Sequence, residues 1–457
     1  MTSGARLDRP RDDARDIALH VLSRVETGAY ANPLLDSLLR QAEISAVDRA
    51  LATNLTHGTL RWRGRLDYVL SHFARRPLEE LPPAIRNILR LGAFQLLLLD
   101  RIPASAAVDS SVELAKRHGH VGTAALVNAV LRRVAEGGAA LPFPDPGADP
   151  VGHLAAAYSH PAWLVARWLA RFGFAETRDL CETNNAPPPV ALRPNRLLAS
   201  REVIAADLAR DGIRTRPSAY APDGLVVEAG ERPADRESFR LGAFSVQSES
   251  SMVVSYLAGP SPGQRVAEVC SGLGGKTTHL AELMDDRGHI LAVDAHKAKL
   301  ARLRENCQRL NITIVHTQPA DARRLPPSAD FSVALADVPC SGTGVLARRP
   351  DLRWHRRPDS VTALNELQGE LLAAAAGLLQ PGGRVVYSTC SLEPEENEDV
   401  VARFLAAHSE FCALDLRAEV NLPSDAYAAD GRSILLRPHR HHTDGMFMAK
   451  LRREIPQ

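Results

Sequence analysis

The chain has 457 residues, a length that predicts about three domains at about 150 residues each. Hydrophobic residues make up 45% and charged residues 24%, which excludes both a disordered chain and a membrane-embedded one. Because 55 Lys and Arg stand against 54 Asp and Glu, the net charge of +1 supplies no global positive field, and a surface for nucleic acid has to come from local patches.

Location and redox state follow from two further features. The longest strongly apolar stretch, Leu91 to Leu99, is too short to cross a bilayer, and residues 1–14 carry charges where a signal peptide is apolar. The six cysteines are scattered without a C-x-x-C pair, so neither a zinc site nor a disulfide framework is expected. We therefore expect a cytoplasmic protein with reduced thiols, no metal and no membrane partner.

The first half of the chain divides by its pattern of apolar residues. These residues recur at helical spacing between residues 13 and 136, which predicts an all-helical domain over 1–140. A linker rich in Gly, Pro and Ala follows at 137–150. Helical and strand-like patterns then mix, which predicts a small α+β domain over 151–262.

From residue 263 to the end, short apolar β runs alternate with helical segments. The runs are Val266–Val269, Ile290–Val293, Ile312–His316, Val333–Ala336 and Val385–Tyr387. This alternation implies right-handed βαβ crossovers and a parallel sheet that binds ligands at the carboxyl ends of its strands. The prediction is a Rossmann-like α/β domain over 263–457.

A glycine-rich loop follows the first of these runs and opens a helix. It reads Cys270-Ser271-Gly272-Leu273-Gly274-Gly275-Lys276-Thr277. Its glycines let backbone NH groups approach a ligand closely. A phosphate-binding P-loop is not matched, since Cys270 stands where that pattern needs Gly, and the glycines also miss the dinucleotide spacing. By itself the loop favours a ligand-binding role only weakly over that of an ordinary strand-to-helix turn without a ligand.

Three carboxylates come at or soon after successive strand ends. Asp294, Asp321 and Asp337 follow the second, third and fourth runs. Asp294 suits hydrogen bonds to ribose hydroxyls, because an acid about 20 residues past a glycine-rich loop commonly takes that role. Each acid alone fits a solvated loop, but three in register predict a single crevice.

Two of the cysteines lie just past strand ends, at the same predicted rim. Cys340 follows Asp337-Val338-Pro339, and Cys390 follows Ser388-Thr389. A free cysteine is more often a buried, inert residue, and that interpretation suits the other scattered cysteines, Cys181, Cys307 and Cys412. Cys340 and Cys390 are therefore the candidates for chemistry.

These motifs resemble the RNA 5-methylcytosine methyltransferase family, from residue 247 to 451 and including Asp444-Gly445-Met446-Phe447. Upstream, residues 48–52, 58–63 and 127–133 resemble the helical NusB-like RNA-binding domain of one bacterial branch. That branch is the 16S ribosomal RNA cytosine-5 methyltransferase B family (RsmB, also called Sun or Fmu). The resemblance implies a multidomain fold: an all-α NusB-like domain, a small α+β domain and a Rossmann-like methyltransferase domain.

The resemblance also implies roles for the site residues. Cys390 would attack C6 of a cytosine and so activate C5 for methylation by S-adenosylmethionine. Cys340 would assist β-elimination afterwards, and Asp337 would hold the cytosine edge at N3 or contact the methionine amino group. The cofactor-binding residues that it implies are Cys270, Ser271, Gly272, Leu273, Gly274, Gly275, Lys276, Asp294, Lys299, Asp321 and Asp337.

Two departures from the family pattern bear on the cofactor. Ser271, Gly272 and Leu273 replace Ala-Ala-Pro, which makes a more flexible turn and can alter cofactor affinity. Lys299 takes the usual Arg position, which keeps the charge but loses the planar fork. Neither change removes a catalytic group.

The expected partner is RNA, preferably that of the small ribosomal subunit, and the expected state is a monomer. A tRNA-directed enzyme of the same family is the nearest alternative. The alternative of another class is a catalytically idle RNA-binding assembly or antitermination factor. The best support for the idle alternative is the altered loop at Ser271 to Leu273. Against it stands the joint presence of Cys390, Cys340, Asp337 and Lys276.

Two clusters keep alternative interpretations. An Arg-rich run with Trp354 spans residues 348–357 and fits either a phosphate and stacking surface for RNA or a solvated face. His439, His441 and His442 match no ordinary zinc ligand set, so a surface turn between two final antiparallel strands is predicted there.

Overall fold

The computed structural model describes residues 13–455, which form two compact units. The helical unit comprises residues 13–187 together with Leu346–His355, which we call the inserted segment. The sheet unit comprises Pro188–Val345 and residues 356–455. The predicted domain boundaries at 140, 151 and 262 stay predictions. The predicted absence of a signal peptide also stays a prediction, since residues 1–12 lie outside the described residues.

The helical unit is built from long helices whose starts are marked in the sequence. They are α1 (Ala14–Val25), α2 (Ala31–Gln41), α3 (Ala46–Phe73), α4 (Pro83–Leu98), α5 (Ala104–His118), α6 (Val121–Gly137), α7 (Pro150–Ala157) and α8 (Ala162–Asn185). Asp13, Ser45 and Asp149 cap the N-termini of α1, α3 and α7 by accepting backbone NH groups. Gly173 kinks α8 with a φ of +76°.

The core of this unit is aliphatic, and the buried side chain of Arg90 lies beside it. Ile17, Leu55 and Ile88 are among the residues of one continuous apolar cluster. Beside it the guanidinium of Arg90 pairs with the carboxylates of Glu26 and Asp67. Burial of this charge is tolerated because both carboxylates accept from it.

The inserted segment packs its aromatic and basic residues against the helices of its own unit. The buried Arg353 donates to the carbonyl of Ser159 at 2.9 Å and to Asn185 Oδ1 at 3.0 Å. Trp354 donates its indole NH to the carbonyl of Leu60 at 2.6 Å. For Arg353 and Trp354 both alternatives drawn from the sequence, an RNA-binding surface and a solvated face, are therefore wrong. Burial, and then the neighbouring Arg61, lowers the pKa of Arg353 to about 9.

The first part of the sheet unit is a small antiparallel sheet. Its elements are β1 (Ala191–Pro194), α9 (Arg201–Arg210), β2 (Arg214–Pro217), β3 (Leu225–Ala229), α10 (Glu237–Arg240) and β4 (Phe244–Val246), followed by α11 (Glu249–Ala258). The strand order is β2-β3-β1-β4, with each neighbouring pair antiparallel. Leu192, Ile204 and Phe244 are among the residues of its core. The predicted small α+β domain is confirmed.

The second part of the sheet unit is a large, mostly parallel sheet. Its elements in chain order, with the short helix α14 of the inserted segment among them, are β5 (Arg265–Val269), α12 (Gly275–Leu283), β6 (His289–Asp294), α13 (Lys297–Arg309), β7 (Val315–Pro319), β8 (Phe331–Asp337), α14 (Leu352–His355), α15 (Pro358–Gly377), β9 (Leu379–Thr389), α16 (Glu398–Ala407), β10 (Phe411–Ala413), β11 (Ser433–Leu436), α17 (Pro438–His441) and β12 (Met446–Arg453). The strand order is β10-β12-β9-β8-β5-β6-β7, and β11 pairs with β12. Strands β5 to β9 pair in parallel, whereas β12 runs antiparallel to β9.

The predicted parallel sheet is confirmed, although most of its strands extend beyond the predicted apolar runs and one strand starts later than its run. Strand β7 begins at Val315, whereas the apolar run placed its start at Ile312. Ile312 and Ile314 are buried because they join the core beneath α13, and Asp286 accepts the backbone NH of Thr313 between them. The start of the apolar run therefore indicates buried residues here and not the start of a strand.

None of the helices in residues 13–455 has both the length and the apolar content that a membrane span needs.

Candidate active site

Parallel pairing brings the carboxyl ends of the central strands together at one rim. Val269 at the end of β5 pairs with Val293 on β6 and with Ala336 on β8. Asp337 at the end of β8 pairs with Ser388 near the end of β9. The glycine-rich loop, Asp294, Asp337 and both candidate cysteines therefore lie along this rim.

The glycine-rich loop is a tight turn held by its own backbone. Ser271 donates its NH to the carbonyl of Val293 at 2.8 Å, and Gly274 donates to the carbonyl of Ser271 at 3.0 Å. Cys270 and Gly274 have positive φ values of 63° and 86°. A Cβ at Gly274 would stand 2.0 Å from Leu303 Cδ1, so this position needs glycine.

The loop also presents polar groups that the protein does not use. Ser271 Oγ is buried and has no hydrogen-bond partner within residues 13–455. Beside it Asp294, only 5% exposed, accepts the backbone NH groups of Gly272 at 3.0 Å and His296 at 2.8 Å. Each Asp294 oxygen keeps a lone pair, and the ammonium of Lys299 lies 3.8 Å away. An unpaired hydroxyl and an oriented carboxylate fit a polar ligand such as a nucleoside.

A partly buried ion pair lies next along the rim. Lys276 Nζ donates to Asp337 Oδ2 at 2.6 Å, and Ser388 Oγ donates to the other oxygen at 2.8 Å. Although burial acts to lower it, the pKa of Lys276 is raised by the charge and hydrogen bond of Asp337 and by nearby Glu268 and Cys390. Asp337 is thus held in one orientation with part of its carboxylate still exposed.

Glu268 is a site residue that the sequence analysis missed. It lies inside β5, fully buried, and accepts a hydrogen bond from Thr277 Oγ1 at 2.5 Å. Burial raises its pKa to about 8. The available signal was an acid in the middle of an apolar strand run, a place where a charge is costly unless it has a function or a partner.

The two candidate cysteines meet at the rim. Cys340 Sγ and Cys390 Sγ lie 3.1 Å apart, although the residues are 50 positions apart in the sequence. The pKa of Cys340 is raised well above its usual value, first by its hydrogen bond with Cys390, then by burial and by the charges of Cys390 and Glu396. Either thiol can donate to the other, so the two side chains form one hydrogen-bonded pair.

Asp321 is not brought into this cluster by any contact in the described chain. It lies just past β7 at the same rim, but its carboxylate is engaged by Arg323, with Nη2 at 2.7 Å and Nε at 3.0 Å. Its predicted role in cofactor binding stays a prediction. Cys270 is in the glycine-rich loop, and burial raises its pKa to about 12. Burial likewise raises the pKa of Cys181 to about 12 and of Cys307 to about 11.

The histidine cluster lies between the antiparallel strands β11 and β12, as predicted. It is only partly the predicted surface turn, because His441 is 2% exposed and faces the carboxylate of Asp425 at 3.4 Å. Within residues 13–455, no three His, Cys, Asp or Glu side chains are grouped so that they could hold a metal ion.

Three family models match the chain. The 16S rRNA methyltransferase RsmB/F model matches residues 255–452, and the NusB family model matches residues 12–136. The ferredoxin-like domain of RsmF/B-like methyltransferases matches residues 160–232. With the strand order of the large sheet, these matches define the class: a Rossmann-like methyltransferase that carries a NusB-like helical domain and a ferredoxin-like domain.

Whole-chain relatives narrow this class. The "Probable ribosomal RNA small subunit methyltransferase B" of Bacillus subtilis is 37% identical over 97% of this chain and 99% of its own. Ribosomal RNA small subunit methyltransferase B of Pseudomonas putida is 36% identical over 88% of this chain and 90% of its own. The crystal structure of PH0851 matches with a TM-score of 0.83 at 29% identity, covering 96% of this chain and 98% of that one. The chain belongs to the RsmB/F family of 16S rRNA methyltransferases, which confirms the resemblance in its motifs.

Proposed function

We propose that this protein methylates C5 of a cytosine in small-subunit ribosomal RNA, with S-adenosylmethionine as methyl donor and a covalent cysteine adduct as intermediate. The observation that carries the proposal is the pair of thiols, Cys340 and Cys390, 3.1 Å apart beside the Lys276–Asp337 ion pair. The family supports RNA methylation, and two thiols at one rim support the covalent route to C5.

The glycine-rich loop and Asp294 would hold the cofactor. The lone pairs of Asp294 suit ribose hydroxyls, the Ser271 hydroxyl suits a ribose or carboxylate group, and Lys299 adds a positive charge at the exposed side. Bound S-adenosylmethionine supplies an electrophilic methyl group. The chain's task is to orient that group toward the cysteine pair and to exclude water.

Cys390 is the nucleophile in this proposal. Its thiolate adds to C6 of cytosine, and the electrons of the C5–C6 double bond move so that C5 becomes nucleophilic. The Lys276 ammonium lies close enough to Cys390 for the two charges to interact, since Cys390 is one of the groups that raise the pKa of Lys276. Asp337, fixed by Lys276 and Ser388, would hold the cytosine edge at N3 or contact the methionine amino group.

Cys340 would act in release. The charge of Cys390 is one of the causes that raise the pKa of Cys340, after the Cys390 hydrogen bond and burial, and this charge is lost once Cys390 is bonded to C6. The Cys340 thiol would then pass its proton to water, and its thiolate would take the proton that leaves C5 while the electrons of that C–H bond re-form the C5–C6 double bond. The same step breaks the bond between Cys390 and C6 and restores the thiolate.

The experiment that tests the function follows the label of S-adenosylmethionine into 16S ribosomal RNA and tRNA, with denaturing gels for adducts. We expect wild type to methylate 16S ribosomal RNA, Cys390→Ala to give neither product nor adduct, and Cys340→Ala to leave RNA attached to the protein. Cys181→Ala, a buried cysteine of the helical unit, is the matched control.

Each other outcome has a defined meaning. An adduct with Cys390→Ala but not with Cys340→Ala would reverse the two roles. Methylation of tRNA alone would favour the tRNA-directed alternative. Binding of RNA without methylation or adduct in any variant would favour a non-catalytic RNA-binding factor.

A further inference from the structure

One buried carboxylate joins the two cysteine loops. Ser341 follows Cys340 in the chain and Ser391 follows Cys390, and the hydroxyls of both serines donate to Glu396 Oε2. The distance from Ser391 Oγ is 2.5 Å, and the two hydroxyl oxygens are 3.0 Å apart. The serine that follows each cysteine is thus hydrogen-bonded to the same oxygen atom of Glu396.

The other oxygen of this carboxylate is equally occupied. Glu396 Oε1 accepts the backbone NH of Ser341 at 2.8 Å and Gln368 Nε2 at 2.9 Å. The side chain of Glu396 is 0% exposed. Four donors on two oxygens are what a carboxylate needs when it is removed from water, so this is a built site and not a chance contact.

Further bonds transmit this arrangement to the cysteines. Arg356 donates to the carbonyl of Cys340 at 2.9 Å, and Gln368 donates to the carbonyl of Pro339 at 2.9 Å. On the other loop Asn397, next to Glu396, donates to the carbonyl of Ser391 at 3.0 Å. Both loops are therefore held on their backbones as well as on their serines.

We propose that Glu396 is a positioning residue that sets the separation of Cys340 Sγ and Cys390 Sγ and thereby the rate at which the RNA adduct is released. It touches neither sulfur, and it acts through Ser341 and Ser391. This inference rests on the proposed function for the roles of the two thiols, but the geometry that it describes can be measured without RNA.

The electrostatics of the pair agree with this role. The charge of Glu396 is one of the causes that raise the pKa of Cys340, after the Cys390 hydrogen bond, burial and the Cys390 charge. Glu396 therefore helps to keep the proton on Cys340 before attack, while the Lys276 cation lies by Cys390.

The first measurement reports the separation of the thiols. Diamide takes up two electrons and two protons as two thiols join in a disulfide, and peptide mass spectrometry follows the Cys340–Cys390 product in the full-length protein near neutral pH. We expect Glu396→Ala to form this disulfide about tenfold more slowly than wild type, because the two loops are no longer joined.

The conservative variant separates hydrogen bonding from charge. In Glu396→Gln the amide oxygen can accept from Ser341 NH and Gln368, and the amide NH₂ can donate to both serine hydroxyls, which can rotate to accept. We therefore expect Glu396→Gln to keep an oxidation rate within about twofold of wild type. A rate for Glu396→Ala equal to that of wild type would overturn the proposal.

The second measurement is the lifetime of the RNA adduct on denaturing gels. Glu396→Ala should lengthen this lifetime about fivefold while the Kd for S-adenosylmethionine stays within about twofold, since the glycine-rich loop is untouched. An unchanged lifetime would overturn the role in release. If Glu396→Ala slows oxidation but no variant, wild type included, forms an adduct, the role of Glu396 in setting the sulfur separation is supported. That result would instead contradict the proposed function.

Two further variants guard against a general loss of structure. The double variant Ser341→Ala/Ser391→Ala removes the shared hydroxyls but keeps the carboxylate on Ser341 NH and Gln368, so it serves if Glu396→Ala fails to fold. Glu249→Ala is the matched control, because Glu249 is also buried and accepts a serine hydroxyl, that of Ser218. It should lower stability without slowing disulfide formation, and slowing by Glu249→Ala equal to that by Glu396→Ala would overturn the proposal.

Discussion

The glycine-rich loop and the inserted segment both carry residues that in sequence fit ligand binding, but they use those residues in opposite ways. In the loop, the buried Ser271 hydroxyl has no partner in the described chain. In the inserted segment, Arg353 and Trp354 donate to carbonyl and amide oxygens of the helical unit itself. A polar or aromatic residue is available to a ligand only when the fold has not already satisfied it.

This comparison predicts opposite effects for variants of the two regions. Variants of the inserted segment should lower stability and leave cofactor affinity alone, whereas variants of the glycine-rich loop should lower affinity more than stability. A single variant that behaves in the opposite way breaks the comparison.

The largest effect is expected for Arg353→Leu. It leaves several buried carbonyl and amide oxygens without a donor and should cost about 3 kcal/mol of unfolding free energy or more. Thermal melting checks this, and calorimetry with S-adenosylmethionine should give an unchanged Kd. Arg349→Leu in the same segment is the control, since the Arg349 guanidinium lies over the ring of Tyr30 and its loss should cost about 0.5 to 1 kcal/mol.

Asp294→Asn comes next and acts on the cofactor. The loss of a charge-assisted hydrogen bond of about 1.5 to 3 kcal/mol should weaken S-adenosylmethionine binding by about tenfold to a hundredfold. Titration calorimetry measures it, with Asp207→Asn as an exposed carboxylate control paired with Arg210. If affinity is unchanged, the ribose assignment is wrong.

Gly274→Ala should distort the loop itself. The added Cβ meets Leu303 and the backbone keeps a φ of 86°, at a cost of about 1 to 3 kcal/mol. Cofactor affinity should fall because the loop changes shape. Gly263→Ala has a similar φ of 87° but open space around it, so it isolates the backbone cost and should leave the Kd unchanged.

The smallest effect is expected for Ser271→Ala. One hydrogen bond worth about 0.5 to 1.5 kcal/mol should be lost with the cofactor and none without it. The Kd should rise about twofold to tenfold while the melting temperature does not fall. Ser255→Ala, on α11, removes another buried hydroxyl that has no partner among residues 13–455, and should leave the Kd as it is. Equal Kd values for both variants would show that Ser271 does not face the cofactor.

Much of the fold could be predicted from the sequence because its signals are local. Helical periodicity, β runs and the motifs around Asp294, Cys340 and Cys390 each lie within a few residues, and a parallel sheet necessarily brings its strand ends to one rim. The class of protein and the region of the site followed from these signals.

The sequence by itself therefore determined the order of elements and the family. Only the tertiary structure decided which side chains are already used. Arg353 meets Ser159 across 194 positions, and Ser341 meets Glu396 across 55. The physical reason is that a buried polar group must find a partner wherever the chain brings one close, and partners this distant in sequence leave no periodic or motif signal.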